Sequence, residues 1–215
     1  MSTPAERAAI SAILKKIPAP ATIMDLGAYQ GEDSAWMITA CSYPPAPRCI
    51  MVEADKRNFD VLKQNFTAFW GVRAVMHHAA IADHTGTCEI YLCDNREGPE
   101  NGSSSIRKPT GHLHHFPRFE FKRTETINCY TLDDLFEREE LDHIDVLWAD
   151  LQGAENQLIA GGQRALAKTK WLFIEAEEVE MYEGQSVRPD LLAMLPGWTV
   201  AQEFDYNLLL RNEHC

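Results

Sequence analysis

Thr22-Ile23-Met24-Asp25-Leu26-Gly27-Ala28-Tyr29-Gln30-Gly31 is a short apolar run that ends in an acid and passes into a glycine-bracketed turn. Glu32 to Ala40 then reads as a helix, so the segment is strand, tight loop, helix. Such a turn brings backbone N–H groups and a helix N-terminus up against a ligand. Gly27 permits a positive φ or a close approach, Gly31 permits close packing where the helix starts, and Asp25 stands at the strand's carboxyl end. The spacing is D-x-G-x-x-x-G rather than G-x-G-x-x-G. An acid ahead of the first glycine opposes a pyrophosphate's charge but suits the ammonium of an amino-acid-like ligand.

A second apolar run, Cys49-Ile50-Met51-Val52-Glu53-Ala54, ends in Glu53 about 20 residues after the glycine loop, where the next parallel strand of a doubly wound sheet should end. A carboxylate there can accept hydrogen bonds from both hydroxyls of a ribose. Each feature has a plainer reading, an empty strand-to-helix turn and a strand-end surface acid, but together they point to a nucleoside-containing ligand.

At 215 residues the chain fits one domain, and its 45% hydrophobic and 24% charged composition is that of a soluble globular protein. No apolar stretch approaches the roughly 20 residues needed to span a bilayer, and Met1-Ser2-Thr3-Pro4-Ala5-Glu6-Arg7 lacks the order of a secretory signal, so a cytoplasmic location without membrane attachment is expected. The net charge of −12 argues against nucleic acid as a partner. The cysteines, at 41, 49, 88, 93, 129 and 215, include no C-x-x-C pair and predict no obligatory disulfides. His77 and His78 are adjacent and His112, His114 and His115 cluster, yet no zinc spacing appears and no metal is assigned.

Helical and strand patterns alternate. Pro4 to Ile17 is a leading helix within residues 1–19, closed by Pro18 and Pro20. Ile23 to Leu26 and Ile50 to Glu53 are strands, separated by a loop at Tyr43-Pro44-Pro45-Ala46-Pro47. Lys56 to Phe69 is a helix, Val72 to Ile81 a third strand, and Asp83-His84-Thr85-Gly86 a turn into an antiparallel strand, Cys88 to Leu92. Residues 94–124 lack periodicity and read as a substrate-covering flap or insertion, or as a disordered segment. Thr126 to Tyr130 is a strand, Leu132 to Glu137 a helix, and Ile144 to Ala149 the fourth core strand. Trp36, Trp70 and Trp171 serve either a core or an interface, which leaves the oligomeric state open.

The fourth core strand releases into Asp150-Leu151-Gln152-Gly153-Ala154-Glu155. Asp150 is thereby placed at a ligand crevice, and Gly153 with Ala154 opens a helix running to about Ala167. Trp171 to Glu175 is the fifth strand. Four strand ends thus carry Asp25, Glu53, Asp150 and Glu175, whereas solubility alone would scatter acids without regard to strand polarity.

The order D-L-G-A-Y-Q-G, V-E-A-D, A-A-I-A-D-x-x-G, S-S-S-I, T-L-D-D-L, L-W-A-D-L-Q-G-A-E and F-I-E-A-E resembles the FkbM family of S-adenosylmethionine-dependent methyltransferases over roughly residues 20–180. The resemblance implies one α/β domain over residues 1–215 with the class I methyltransferase (Rossmann-like) fold. That fold is a seven-stranded, mostly parallel sheet of order 3-2-1-4-5-7-6, with helices on both faces and an antiparallel last strand. Trp198 to Phe204 and Tyr206 to Leu210 would form its closing hairpin. The resemblance also implies S-adenosylmethionine as cofactor, which carries the ammonium that Asp25 suits, and a hydroxyl on a small molecule or glycan as acceptor. Asp25, Gly27, Ala28 and Gly31 would hold the methionine moiety, Glu53 the ribose, and Ala80, Ile81 and Asp83 the adenine, with Asp83 equally suited to capping its turn. Asp150 and Gln152 complete that set. The family usually has an acid where this chain has Gln152, and often a lysine where it has Trp148. For the proton of an alcohol acceptor, Asp150 is the first candidate base and His112, His114 or His115 the second, unless those histidines line a solvated loop. An NAD-dependent oxidoreductase would need the G-x-G-x-x-G turn; a non-catalytic nucleoside-binding protein would keep the fold without turnover.

Overall fold

The computed structural model of the chain describes residues 2–41, 44–67, 73–99 and 101–215; Tyr43, Phe69, Trp70 and Val72, which enter the expectations above, lie outside them. Three parallel strands form the centre: β1 (Thr22–Leu26), β2 (Arg48–Glu53) and β7 (Ile144–Ala149), almost wholly buried on both faces. The alternation of side chains sorts their residues between two cores. Met24, Leu26, Ile50, Val52, Leu147 and Ala149 face one side, and Ile23, Cys49, Met51, Val146 and Trp148 face the other.

Helices cover both faces. On the second face lie α1 (Pro4–Leu14), α2 (Glu32–Ala40) and α3 (Lys56–Thr67), through Ile10, Leu14, Met37, Ile38, Leu62 and Phe66. On the first lie α5 (Leu132–Arg138), α6 (Glu155–Ala160), α7 (Gln163–Leu166) and α8 (Arg188–Ala193), through Leu132, Leu135, Leu158, Leu166 and Leu191. A capping box between Thr3 and Glu6 starts α1, which ends three residues before Ile17. Trp36 meets Trp148 edge to face, and Trp171 packs against the same core.

The main sheet is completed by β3 (Arg73–His78), β8 (Thr169–Glu175), β9 (Trp198–Glu203) and β10 (Asn207–Asn212) in the order β3-β2-β1-β7-β8-β10-β9. β10 runs antiparallel to β8, with Asn207 opposite Glu175. This is the expected class I order, with the closing hairpin where the sequence placed it.

Two expectations are corrected, and a third segment is defined. The strand read from Val72 to Ile81 is two elements: the chain leaves the main sheet after His78, the Ala79 N–H bonds Glu53 O at 3.2 Å, and β4 (Ala80–Ile81) joins a second sheet, β4-β6-β5, with β5 (Gly86–Asn95) and β6 (Phe119–Tyr130). The helix expected to reach Ala167 is instead two, α6 and α7, separated by Gly161 and Gly162; only glycine fits there, since a Cβ at Gly161 would stand 2.7 Å from Ala82 O and one at Gly162 2.7 Å from Leu158 O. The irregular stretch 94–124 is largely ordered: its ends belong to β5 and β6, and α4 (Gly111–His115) lies between them. Ser105 forms an antiparallel bridge with Tyr91, and Pro109 one with Tyr182.

Gly27 has φ 86° and sits where a Cβ would overlap the carbonyl oxygen of Asp150. Gly27→Ala is therefore expected to destabilise the fold by about 2–4 kcal/mol, from overpacking and a left-handed backbone together. Gly98→Ala, whose Cβ would meet nothing closer than Asn95 Nδ2 at 3.8 Å, should leave the urea midpoint within experimental error. Equal midpoints for the two variants would contradict this account.

Candidate active site

The carboxyl ends of β1, β2 and β7 are laced together by backbone bonds beyond the strands themselves. Gly27 N and Ala28 N donate to Val52 O at 2.9 and 3.0 Å, and Asp150 N donates to Leu26 O at 2.9 Å. Above this edge lies a cavity of ≈340 Å³. Its walls include Asp25, Gly27, Ala28, Glu53, Ala80, Ile81, Asp150 and Gln152, eight of the residues expected at a cofactor. Gly31 is not in the wall; it caps α2 in the left-handed region at φ 90° and gives Phe66 and Leu62 room to pack. Asp83 is also outside, with its exposed carboxylate on His84 Nδ1 at 2.9 Å.

Asp25 is 1% exposed and accepts a short hydrogen bond from Ser34 Oγ of α2. Burial pushes its carboxyl up to about 7, against the pull of Ser34, and the charges of Asp33 and Asp150 add to the rise. Glu53 holds the loop: Oε2 accepts from Tyr29 N and Oε1 from Asp55 N, both at 2.8 Å. Each oxygen keeps a further lone pair. Burial pushes this carboxyl up to about 8 although both backbone donors favour its ionised form. Ser103, Ser104, Ser105 and Ile106 close the cavity from the loop after β5, joined by Asn58, Ile90 and Phe119. Ser104 Oγ donates to Asp55 Oδ2 at 2.8 Å and Ser105 Oγ to Gln152 O at 2.7 Å, which ties this loop to both sides of the site. Asn58, Ile90 and Phe119 were missed from sequence; the S-S-S-I block was a visible signal for the loop.

The turn after β7 is backbone-strained, with Gln152 at φ 53° followed by Gly153 at φ 94°. That turn aims the Gln152 amide between carboxylates. Nε2 donates to Asp150 Oδ1 at 2.6 Å and lies 3.4 and 3.5 Å from the Glu175 oxygens, while Oε1 accepts from Tyr182 Oη at 2.9 Å. A glutamine is suited here because an ionised acid would face two others. Burial raises the carboxyl pKa of both Asp150 and Glu175, and in Glu175 the charges of Asp150, Glu155 and Glu177 raise it further. Glu155, 2% exposed, accepts from Leu151 N at 2.9 Å and is pushed up to about 8, chiefly by burial. Among the described residues no group of three or more His, Cys, Asp or Glu could hold a metal ion. Trp148, at the position often occupied by lysine, lines the cavity and stacks on Phe173 at 3.9 Å.

The histidines separate. His114 and His115 are exposed, pack edge to face on each other and line neither this cavity nor its neighbour. His112 is buried in the wall of a second cavity of ≈270 Å³, which shares Ser103, Phe119 and Gln152 with the first. Burial, then the charges of Arg118 and His115, hold its pKa down to about 4, so the ring is neutral near pH 7. Among the described residues no helix is long and apolar enough to cross a membrane, and all six cysteines are free.

A chain with this sheet order and this site matches the model of the methyltransferase FkbM domain over residues 25–208. It is 30% identical to the 2-O-methyltransferase NoeI of Sinorhizobium fredii over 216 residues, covering 94% of this chain and 83% of that protein. Among solved structures it resembles the methyltransferase FkbM of Methylobacillus flagellatus KT with TM-score 0.54 and 18% identity, over 89% of this chain and 43% of that one. It thus spans less than half the length of that protein. The N-terminal domain of EvdMO1 with SAH bound gives TM-score 0.50 and 12% identity, over 99% and 82%. Identities this low show the fold alone, whereas the family model runs from Asp25 to the last strand: the chain is a methyltransferase of the FkbM family.

Proposed function

We propose that the protein methylates a hydroxyl oxygen of a small-molecule or glycan acceptor with S-adenosylmethionine, as a single domain over residues 1–215 working in the cytoplasm. The observation that carries this is the convergence of Asp25, Glu53 and Asp150 on one cavity at the carboxyl edge of the sheet. The 30% identical relative is a 2-O-methyltransferase, which supports oxygen as the acceptor atom. The residues fit the cofactor: acids stand where a cation is needed, and Ala80, Ile81 and Ile90 offer an apolar wall for a base.

Asp25 would face the ammonium, the free lone pairs of Glu53 the ribose hydroxyls, and Ala80 with Ile81 the adenine. When bound, S-adenosylmethionine supplies an electrophilic methyl group on its sulfonium, so the protein's work is alignment and exclusion of water. Gln152 fixes Asp150 through Oδ1, leaving Oδ2 to take the proton of an acceptor hydroxyl. A carboxylate with a raised pKa is a stronger base than an ordinary one. His114 and His115 stand too far out to share this task, being exposed and outside both cavities. A nicotinamide cofactor finds no G-x-G-x-x-G turn here.

Calorimetric titration with S-adenosylmethionine and with NAD tests the assignment. Saturable binding of the first is expected, weakened about 10- to 100-fold in Asp25→Ala and in Glu53→Ala as hydrogen bonds to charged groups are lost. Absence of binding to well-folded protein, or preference for NAD, would overturn it.

The raised carboxyl groups also set a pH dependence. Burial pushes the carboxyls of folded Asp25, Glu53 and Glu155 up to about 7, 8 and 8, above the ordinary 3.8 for Asp and 4.5 for Glu. The folded state therefore binds more protons between those limits, and its stability falls as pH rises through the folded values. Thermal melts of the ligand-free protein should show a declining midpoint from pH 5 to pH 9, shallower in Glu53→Gln. A cationic cofactor should stabilise more at pH 9 than at pH 5, and a flat profile in both conditions would contradict the electrostatic account.

A further inference from the structure

The cavity beside the cofactor site has a wall that the reaction as described does not use. His112 lines it with only 4% of the residue exposed, and Nδ1 of its ring is buried without a hydrogen-bond partner among the described residues. Buried ring nitrogens are ordinarily satisfied, and one that is not marks a place for an absent partner. The ring sits among Phe116, Phe119, Phe121 and Tyr182, with centroids 5.1 to 5.5 Å away, so its position is imposed by packing.

We propose that this second cavity is the acceptor subsite and that it takes a neutral, polyhydroxylated ring, one hydroxyl of which hydrogen-bonds His112 Nδ1. The assignment rests on the methyltransferase reading above and deepens it. Continuity is built into the wall: Gln152 belongs to both cavities and connects Asp150 to Glu175 by a single amide. A ring seated against Glu175 thus lies next to the group assigned to take the proton.

The chemistry of the lining selects the ligand class. Glu175 and Glu177 accept from hydroxyls, neutral His112 accepts or donates according to tautomer, and Arg118 donates. A ligand that uses all four needs several hydroxyls on one frame. Tyr206, 57% exposed at the cavity, presents an aromatic surface against which a ring's C–H face can lie. An ammonium acceptor is less suited, because the Arg118 guanidinium already lies 4.7 Å over Phe119 and 6.0 Å over Phe116, which puts a like charge in the lining and occupies those two faces. A volume of ≈270 Å³ suits one ring with its substituents, being about nine times a water's share of the liquid.

Saturation-transfer NMR on the whole chain, with S-adenosylhomocysteine present, provides the test. The probes are the methyl glycosides of D-glucopyranose, D-mannopyranose and D-galactopyranose, with benzylamine as a cationic ring. At least one glycoside should be saturated, and its dissociation constant should rise about tenfold in His112→Phe, which keeps a ring but removes both nitrogens. Tyr206→Ala, at an exposed position, should weaken the same glycoside and decides the matter if His112→Phe does not fold. Calorimetric binding of S-adenosylmethionine should be unchanged in both variants. Four results would overturn the inference: no glycoside bound by protein that binds S-adenosylmethionine, glycoside binding unchanged in folded His112→Phe, glycoside binding equal in wild type and Tyr206→Ala, or benzylamine displacing the glycosides. Loss of S-adenosylmethionine binding in the wild type would instead strike the cofactor assignment, so the two failures are distinguishable.

Discussion

The approach of Gly27 to the carbonyl of Asp150 governs the architecture of the site. With no Cβ at residue 27, the turn after β1 can lie directly against the turn after β7, while its N–H groups reach Val52 O on β2. Three strands from distant parts of the chain therefore end within one hydrogen-bonded edge. Their terminal acids have no freedom to spread apart. Gly153 repeats the device one layer out, since a Cβ there would stand 2.7 Å from the Tyr182 ring.

Elsewhere in the fold, several enclosed acids have cationic partners. Asp145 bonds Lys170 at 2.7 Å, Asp55 is held by Arg57, and Glu139 bonds Arg48 at 2.8 Å. At the cavity the pattern reverses: among the described residues no ion pair engages Asp25, Glu53, Asp150, Glu155 or Glu175. Hydroxyl, amide and backbone N–H donors stand in for cations, and burial holds the carboxyls protonated more readily than in water. The protein thus keeps negative capacity in reserve at one place, at a cost in stability that the two apolar cores offset.

How much of this was legible depended on whether the determining interaction was local. Strand, turn and helix at residues 22–40 follow from pattern and glycine placement, and Glu53 follows from strand spacing. The break after His78 does not, because Val75 to Ile81 has uniform strand character and only pairing of Ala80 with Cys129 moves it to another sheet. Gly161 and Gly162 read as tolerated helix residues, since the reason for Gly161 is a chain passing at Ala82 and that for Gly162 is the approach of Leu158 O and the Leu132 side chain. Helix α8 carries a start signal in Pro189 and Asp190 that was passed over. At the site, acids at strand ends announced themselves, whereas Asn58, Ile90 and Phe119 reach the cavity only by tertiary packing. His112 was visible as a histidine, but its separation from His114 and His115 is decided by which side of one short helix turns inward.

The order of the last two strands bears on how the protein is made. β9 precedes β10 in the chain but lies outside it, and its sheet bonds all run to β10. During synthesis, then, β9 leaves the ribosome with nothing to pair with, and the open edge of β8 stays uncovered until Asn207 to Asn212 follows. Glu175, one wall of the proposed chemistry, sits on that edge opposite Asn207. A nascent chain therefore acquires a complete site only after Asn207 to Asn212 has been translated, and one that stops short of it presents a raw strand edge suited to aggregation.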